Sequence, residues 1–371
     1  MSKIGKRIII AVVVVVALVI AGRAIIMNNQ TAQDWLVERA LARVLSQNSD
    51  HYGGDKIDVV FCGTASPMGR GRAQSCTAIL AGDKFFIVDS GARSTDVLTG
   101  LGLPVGRLDA VFLTHFHSDH ISSLGELHLA SWARGRDSKM HVYGGPGVDQ
   151  VVDGFNMAYG LDYGYRTGHH GEEIMPSKTS GLKAHGFRAP EKGMITVYQD
   201  GDVTVSAFRV NHPPIEPSYG YRFDYRGRSV VISGDTTKDG NLIAAAQNAD
   251  IIVHEVLQPY LVRLTSETLQ KAGQEKLGQL IMDTMDYHTS PVDAAAAANE
   301  ANAGMLVFSH YAPVPQNQLV ERIFMRGVDD VRPDGVVMAT DGTHIELPAL
   351  DDGENDEKRQ IILNQPKLVL R

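Results

Sequence analysis

The stretch T-H-F-H-S-D-H, residues 114–120, decides how this chain is interpreted. It reads H-x-H-x-D-H and directly follows the apolar run A-V-F-L. Alternate side chains of an extended or tightly turned segment share a side, so its three imidazoles and one carboxylate can hold two divalent ions. His115 and His117 are predicted to bind one ion, whereas Asp119 and His120 turn toward a second. Imidazole with carboxylate favours zinc, with iron or manganese as alternatives.

Three further metal ligands are predicted downstream, each at the end of an apolar, strand-like run. They are His212, Asp235 and His310. Open α/β sheets place their chemistry at the carboxyl ends of strands, where these residues stand. A single histidine in that position is more often a surface or core residue than a ligand. Three candidates in the same context, beside the H-x-H-x-D-H motif, favour a metal centre.

Together these motifs resemble the metallo-β-lactamase fold superfamily, and the resemblance runs from about Asp58 to Leu347. The segments Val59–Pro67 and Phe85–Gly91 are similar to that fold's first strand and turn and to its Asp-Ser-Gly strand end. The resemblance implies an α/β (α+β) fold, a four-layer αββα sandwich of two mixed sheets flanked by helices.

The resemblance also implies a dinuclear zinc site. The first metal would be held by His115, His117 and His212, the second by Asp119, His120 and His310, and Asp235 would bridge both. Two ions about 3.5–4 Å apart would turn a bridging water into hydroxide near neutral pH. Asp119 would orient that hydroxide while it holds the second metal.

Two downstream motifs look like those of the ribonuclease Z-like branch of the superfamily. They are I-I-V-H-E, ending at Glu255, and H-T-S, beginning at His288. By that resemblance His288 is the candidate general acid for the leaving group, and Glu255 is the carboxylate that orients it and stabilises its charged form. Alternatively, the Thr or Ser of the second motif caps a helix that begins at Pro291, and both interpretations can hold together.

Two features favour the arylsulfatase-like and phosphodiesterase relatives over ribonuclease Z, which cleaves tRNA precursors. In one ribonuclease Z subgroup a long tRNA arm lies between a G-Y-R strand and a G-D-T strand, but here residues 222 and 234 are joined by a short turn. Instead, an insertion from Asn156 to Lys192, rich in Gly, Tyr and His, predicts an aromatic, polar loop. This loop would wall a pocket for an aryl ester, or it is an ordinary surface loop.

The charge of the chain is a third argument against a nucleic-acid partner. The formal net charge is -8, and the first 24 residues carry four basic and no acidic side chains, so the remainder carries -12. Affinity for a phosphate backbone rests on clustered Lys and Arg. An acidic body therefore disfavours RNA.

The N-terminus predicts export. Lys3, Lys6 and Arg7 precede the wholly apolar run Ile8–Ala21, which is typical of a signal peptide or a retained signal-anchor helix over residues 1–27. Positive-inside logic puts the following body outside the cytoplasm, in the periplasm if the source is bacterial. We predict a linker helix over residues 28–55, the hydrolase domain over 56–350 and a C-terminal extension over 351–371.

The cysteine content leaves the redox state open. Only two cysteines occur, Cys62 and Cys76. An oxidising compartment permits a disulfide between them, and two buried free thiols are the alternative.

The sequence therefore predicts an exported or membrane-anchored dinuclear zinc hydrolase of small-molecule sulfate or phosphate esters, arylsulfatase-like or a phosphodiesterase. A ribonuclease Z-like endoribonuclease of the tRNA 3′-processing type is the alternative. A non-catalytic module that keeps metal for structure is the third hypothesis, which the intact ligand set disfavours. The predicted partners are the ester and, if the first helix is uncleaved, a membrane. Nucleic acid is disfavoured, and a homodimer is left open.

Overall fold

A computed structural model describes residues 3–45, 51–350 and 360–364 of the 371-residue chain. The chain divides into two units, Met1–His51 and Tyr52–Arg371. The smaller unit consists of helices α1 (Lys3–Asn28) and α2 (Gln30–Leu45). Within α1, the segment Ile9–Asn28 has a mean hydropathy of 3.0, and none of it is buried. By length and composition it is the one helix of the described residues that is able to cross a membrane.

The larger unit contains two mixed β-sheets and ten α-helices among its described residues. The strands are β1 (Gly54–Gly63), β2 (Cys76–Gly82), β3 (Lys84–Val88), β4 (Ala110–Phe112), β5 (Met140–Gly144), β6 (Leu182–Gly186), β7 (Met194–Asp200), β8 (Val203–His212), β9 (Ile215–Tyr225), β10 (Arg228–Ile232), β11 (Ile251–Leu257), β12 (Met305–Ala312), β13 (Val336–Met338), β14 (His344–Pro348) and β15 (Ile362–Asn364). The helices are α3 (Ser94–Gly100), α4 (Ser118–Ile121), α5 (Leu124–Trp132), α6 (Val148–His170), α7 (Gly240–Ala245), α8 (Pro259–Lys271), α9 (Glu275–Asp283), α10 (Pro291–Glu300), α11 (Gln318–Phe324) and α12 (Val328–Val331).

The two sheets differ in strand order. The first has the order β15-β14-β1-β2-β3-β4-β5-β6, and its strands β3 to β6 run parallel. The second has the order β13-β12-β11-β10-β9-β8-β7, in which β10 to β13 are parallel and β7 to β10 are antiparallel. In each sheet, therefore, the carboxyl ends of several parallel strands meet at one edge.

Three apolar layers separate the sheets and helices. Along β1, Ile57, Val59 and Phe61 point into the layer between the two sheets, whereas Val60 and Cys62 point into the layer shared with α3, α5 and α6. A third layer packs the outer face of the second sheet against α7, α8, α10 and α11. Because side chains alternate along a strand, a sheet covered on both faces needs near-continuous apolar strands. The predicted four-layer αββα sandwich is confirmed.

Helix α6 replaces the loop that was predicted from Asn156. The glycine content of this segment suggested a loop, but residues 156–170 continue a helix that begins at Val148. The preceding residues Val148, Val152 and Phe155 recur at helical spacing and pack against the core of the first sheet. Further along α6, Tyr159 packs against helix α5. A Cβ at Gly125 of α5 would lie 2.2 Å from the ring of Tyr159, so the two helices approach closely at this glycine.

The cysteines and the C-terminal segment are described as follows. Cys62 and Cys76 form a disulfide between β1 and β2, with their Cα atoms 4.9 Å apart. In the predicted C-terminal extension, residues 360–364 carry β15, which pairs antiparallel with β14. Residues 351–359 and 365–371 lie outside the described residues.

Candidate metal centre

The H-x-H-x-D-H motif lies where β4 ends, at the edge of the first sheet that faces the carboxyl ends of β10 to β12. His115 and His117 belong to the extended segment after β4, and the short helix α4 then turns Asp119 and His120 into the interior. Three of these four side chains are buried, whereas His117 is exposed. The exposed imidazole therefore stands at the mouth of the site.

One group of four candidate ligands consists of His115, His117, His212 and Asp235, whose ligand atoms all lie within 4.8 Å of one another. Nε2 of His115 is 2.9 Å from Nδ1 of His117, which is itself 3.5 Å from Nε2 of His212. Oδ2 of Asp235 lies 3.8 Å from Nε2 of His115.

A second group consists of Asp119, His120 and His310. Nε2 of His310 is 3.1 Å from Oδ2 of Asp119. Oδ2 of Asp235 reaches this group as well, at 3.3 Å from Nε2 of His120 and 3.6 Å from Nε2 of His310. The same carboxylate oxygen therefore borders both groups, as a bridging ligand must.

The donor set fits two zinc ions. Zinc binds imidazole nitrogen and carboxylate oxygen at 2.0–2.2 Å with tetrahedral angles, which separates neighbouring ligand atoms by roughly 3.3–3.5 Å. The separations given above scatter around that value. In addition, Nε2 of His120 is buried and faces Oδ2 of Asp235 at 3.3 Å without the geometry of a hydrogen bond among the described residues. A buried imidazole nitrogen without a hydrogen bond is costly, and a metal ion would satisfy it.

Asp89 holds His120 from behind, and sequence reasoning missed this role. Oδ2 of Asp89 lies 2.7 Å from Nδ1 of His120. Its other oxygen accepts a hydrogen bond from the backbone N–H of Thr114 at 2.9 Å. A carboxylate on the second ring nitrogen fixes the tautomer of a ligating histidine. The signal was present, because Asp89 begins the Asp-Ser-Gly strand end, but the partner is 31 residues away in sequence.

A similar backbone contact orients His212 on the opposite side of the centre. Nδ1 of His212 is 3.1 Å from the carbonyl oxygen of Tyr287, to which it donates in the tautomer that leaves Nε2 free. The ring of Tyr287 packs against that imidazole with centroids 5.0 Å apart. His310 completes the centre from β12, where its backbone adopts a φ of 45°.

His288 and Glu255 come together beside the candidate metal ligands. Nδ1 of His288 lies 3.1 Å from Oε2 of Glu255, and both side chains are buried. The other carboxylate oxygen accepts hydrogen bonds from the backbone N–H groups of Thr289 at 2.9 Å and Thr236 at 3.3 Å. Ser290 separately caps α10 through Asp293 N–H at 3.1 Å. The capping role and the close histidine–glutamate pair therefore coexist.

Electrostatics favours the metal-binding protonation state at His115 and Asp235. Burial, together with His120, holds the pKa of His115 well below its usual range. Burial raises the pKa of Asp235, but His310 and His120 outweigh it and keep that pKa well below the usual range. Neutral imidazole and ionised carboxylate are the ligating forms. Burial lowers the pKa values of His120 and His310, but Asp235 and the neighbouring carboxylates outweigh it and raise them, so metal binding there would release protons. Burial lowers the pKa of His288, but Glu255, together with Asp235 and Asp119, outweighs burial and raises that pKa to about 9.

A family model and curated relatives match this chain. The family described as Anti-Pycsar protein Apyc1 matches residues 57–302. Ribonuclease Z of Mycobacterium bovis (strain BCG / Pasteur 1173P2) is 33% identical over 261 residues, which cover 69% of this chain and 86% of that protein. Ribonuclease Z of Mycobacterium marinum is 32% identical, with 69% of this chain and 87% of that protein covered.

Solved structures share the fold at lower identity. The metallo-β-lactamase fold protein YhfI from Bacillus subtilis superposes with a TM-score of 0.54 and 22% identity, covering 78% of this chain and 98% of that one. The short form of human tRNase Z superposes with a TM-score of 0.54 and 20% identity, covering 77% of this chain and 98% of that one. At this identity the likeness concerns the fold alone.

Proposed function

Since the chain belongs to the ribonuclease Z-like group of the metallo-β-lactamase superfamily, and to the family described as Anti-Pycsar protein Apyc1, we propose that it is a metal-dependent endoribonuclease of the ribonuclease Z type. The single observation that carries the proposal is the 33% identity to a curated ribonuclease Z over 86% of its length. The reaction would be hydrolysis of a phosphodiester bond in RNA, and precursor tRNA is the substrate class to test first.

The prediction of a small-molecule sulfate or phosphate ester substrate is wrong, as is the prediction that nucleic acid is disfavoured. The ribonuclease Z relatives overturn both. The physical reason is that net charge averages over the whole chain, whereas phosphate affinity depends on a few locally placed cations. A short turn between residues 222 and 234 excludes an arm at that position only. The first part of the segment taken for an aryl-binding loop, residues 156–170, belongs to helix α6.

We propose that His115, His117, His212 and Asp235 hold one zinc ion and that Asp119, His120, His310 and Asp235 hold the other. Two divalent ions in these positions would acidify a water molecule and offset the negative charge that develops on the phosphoryl group. The geometry that supports this assignment is the shared Oδ2 of Asp235 between the two groups. Asp119, whose Oδ2 is near His310, would also orient the attacking water.

His288 is the proposed general acid. Its imidazole stacks near His310, with ring centroids 5.7 Å apart, so it borders the space where a phosphodiester would sit. When the bond between phosphorus and the departing ribose oxygen breaks, that oxygen would take the proton from His288. Glu255 is a positioning residue, because it holds Nδ1 and leaves the other ring nitrogen to face the substrate.

We propose that α1 anchors the chain in a membrane with Lys3, Lys6 and Arg7 on the cytoplasmic side. The disulfide between β1 and β2 supports an oxidising compartment for the body. In this orientation the enzyme would meet RNA outside the cytoplasm. A C-terminal alkaline phosphatase fusion tests it: activity supports the orientation, whereas an inactive fusion with an active cytoplasmic reporter at the same site contradicts it.

The test of the activity uses the full chain purified in detergent and loaded with zinc. It is incubated with a precursor tRNA, an unrelated structured RNA and an aryl sulfate, and each reaction is repeated with a chelator. Zinc-dependent RNA cleavage that His288→Ala slows by at least about 100-fold is expected. Aryl sulfate turnover without RNA cleavage would contradict the proposal.

A further inference from the structure

A cavity lies at the edge of the first sheet opposite to the metal centre. Its volume is about 510 Å³. The residues that matter for its chemistry are Arg107, Arg136, His141, Tyr143, His185 and Tyr198. A volume in the range of roughly 300–1,000 Å³ is typical of sites for small organic ligands.

The position of this cavity separates it from the catalytic residues. Its lining includes Asp109, the residue before β4, and Ser138, which lies shortly before β5. The metal ligands His115 and His117 instead follow β4. A strand advances about 3.3 Å per residue, so the cavity and the metal centre lie at opposite edges of the sheet, on the order of 10 Å or more apart.

Arg136 gives the cavity a buried, incompletely paired cation. The residue is only 3% exposed. Its Nε donates to Oγ of Ser131 at 3.1 Å and its Nη1 to the carbonyl oxygen of Ser138, but Nη2 has no hydrogen-bond partner among the described residues. A buried guanidinium group with an unused donor is costly and suits an anion with several oxygens. Because Nη2 is itself shielded from solvent, it would reach an anion in the cavity only after the side chain turns.

A second guanidinium stands in the same lining. Arg107 is exposed and donates to the carbonyl oxygen of Asp83 at 3.1 Å. Within the described residues, neither Arg107 nor Arg136 forms an ion pair with a carboxylate. Two guanidinium groups can bind the oxygens of one phosphate, and here two carboxylates, Asp109 and Asp137, line the cavity beside them. The carboxylate of Asp109 is engaged by the N–H of Phe85 at 2.7 Å.

Aromatic rings form the rest of the wall. Tyr143 and His185 are stacked with centroids 4.5 Å apart and ring planes 13° apart, because the two residues are register partners on β5 and β6. His141, two residues before Tyr143 on the same face, fixes His185 through a 2.7 Å contact between Nδ1 and Nε2. Tyr198 of the second sheet stands edge-on to Tyr143 at 6.1 Å. Flat rings beside guanidinium groups are the surroundings in which nucleic-acid bases stack.

We propose that this cavity binds one nucleoside monophosphate unit, with the base against the Tyr143, His185 and Tyr198 rings and the phosphate on Arg107 and Arg136. The unit could be a free nucleotide or an unpaired nucleotide of an RNA, since both present the same base and phosphate. The proposal rests on the cavity alone and does not depend on the function assigned to the metal centre.

The test is isothermal titration of the zinc-loaded full chain in detergent with AMP, adenosine and inorganic phosphate, each alone. AMP is expected to bind one per chain with a Kd below about 1 mM, and adenosine and phosphate at least about 10-fold more weakly. Arg107→Ala and His185→Ala should each weaken AMP binding at least about 5-fold while leaving RNA hydrolysis unchanged. Arg134→Ala, which removes an exposed arginine outside the cavity lining, is the matched control.

The outcomes separate the cavity from the metal centre. Absence of saturable AMP binding up to about 10 mM would overturn the proposal, as would equal affinity for inorganic phosphate. AMP binding that survives Arg107→Ala but is lost in Asp235→Asn would assign the ligand to the metal centre and also overturn it. If a short single-stranded RNA displaces AMP, the natural source is RNA. If it does not, the source is a free nucleotide, and both of these results support the site.

Discussion

Replacing Glu255 with Gln removes the negative charge beside His288, the proposed proton donor, and changes little else. Oε2 of Glu255 lies 3.1 Å from Nδ1 of His288, and both groups are buried. The remaining oxygen of the glutamine can still accept the N–H of Thr289, which the carboxylate accepts at 2.9 Å. The change therefore acts on the charge that faces the imidazole.

The size of the effect follows from the balance of contributions to the pKa of His288. Burial lowers this pKa, and Glu255 is the foremost group that raises it, to about 9. Asp235 and Asp119 also raise it, but divalent ions in the adjacent centre would offset their charges. Without the Glu255 charge, burial dominates and the pKa of His288 falls. Each unit of that fall corresponds to about 1.4 kcal/mol.

A general acid must carry its proton, so activity is lost as pH rises through the pKa of His288. In Glu255→Gln the alkaline limb of the kcat/KM profile should move to lower pH by at least about one unit. At pH 8 a one-unit fall from about 9 lowers the protonated fraction of His288 from about 0.9 to about 0.5, so kcat/KM should fall at least about 2-fold from this cause. It should fall further because the imidazole loses the carboxylate that orients it. The assay is initial-rate cleavage of a fluorescent precursor RNA between about pH 5.5 and 10, with both proteins loaded with zinc.

Glu300→Gln provides the control, because Glu300 pairs with Lys238 on the surface away from the centre. Its profile should match that of the unmodified chain. If Glu255→Gln has the same alkaline limb as Glu300→Gln and a rate within about 3-fold of it, Glu255 does not act on a proton donor. The reasoning about the histidine–glutamate pair would then be refuted.

Three further predictions concern metal affinity and stability. Asp89→Asn removes the carboxylate 2.7 Å from Nδ1 of His120 and should weaken zinc binding about 10–100-fold in a chelator competition. Unchanged zinc affinity would show that Asp89 does not support His120 as a ligand. Burial and then Arg136 lower the pKa of His128 to about 3 in the folded chain. As pH falls, the unfolded chain therefore protonates this imidazole before the folded chain does. About 3–5 kcal/mol of the free energy of unfolding should be lost between about pH 6.5 and 3. In His128→Gln the urea midpoint should fall less over that pH range, and an equal fall would contradict the assignment. Replacing both Cys62 and Cys76 by Ser opens a cross-link between residues 14 apart and should cost about 3 kcal/mol in urea unfolding, whereas no loss would indicate thiols that are not paired.

The centre was predictable where its chemistry is local in sequence. His115, His117, Asp119 and His120 lie within six residues, so their types and spacing already specify a metal-binding turn. More distant candidates could be proposed because each follows an apolar strand, and parallel strands bring their ends to one edge. The structure brings all seven predicted side chains together.

The contacts that were missed depend on long-range packing. Asp89 meets His120 across 31 residues, and only the pairing of β3 with β4 makes this contact. Helix α6 was taken for a loop because its glycines lower helix propensity, yet its apolar face packs against the first sheet. Burial of such a face outweighs propensity.

The substrate was the least predictable property. The net charge is an average over the whole chain, and the short turn shows only that no arm lies at that one position. Neither describes the surface that contacts a substrate. The cavity at the opposite edge of the first sheet was equally hidden, since Arg136, His185 and Tyr198 come from three separate segments. No motif joins them in the sequence.

The measurement that tests the central claim most directly is the rate of precursor tRNA cleavage as zinc is titrated into the metal-free full chain. The account predicts a rate that reaches its maximum near two zinc ions per chain and an Asp235→Asn variant with no activity at any ratio. Full activity of the metal-free chain in the presence of a chelator, or of Asp235→Asn, would contradict the account.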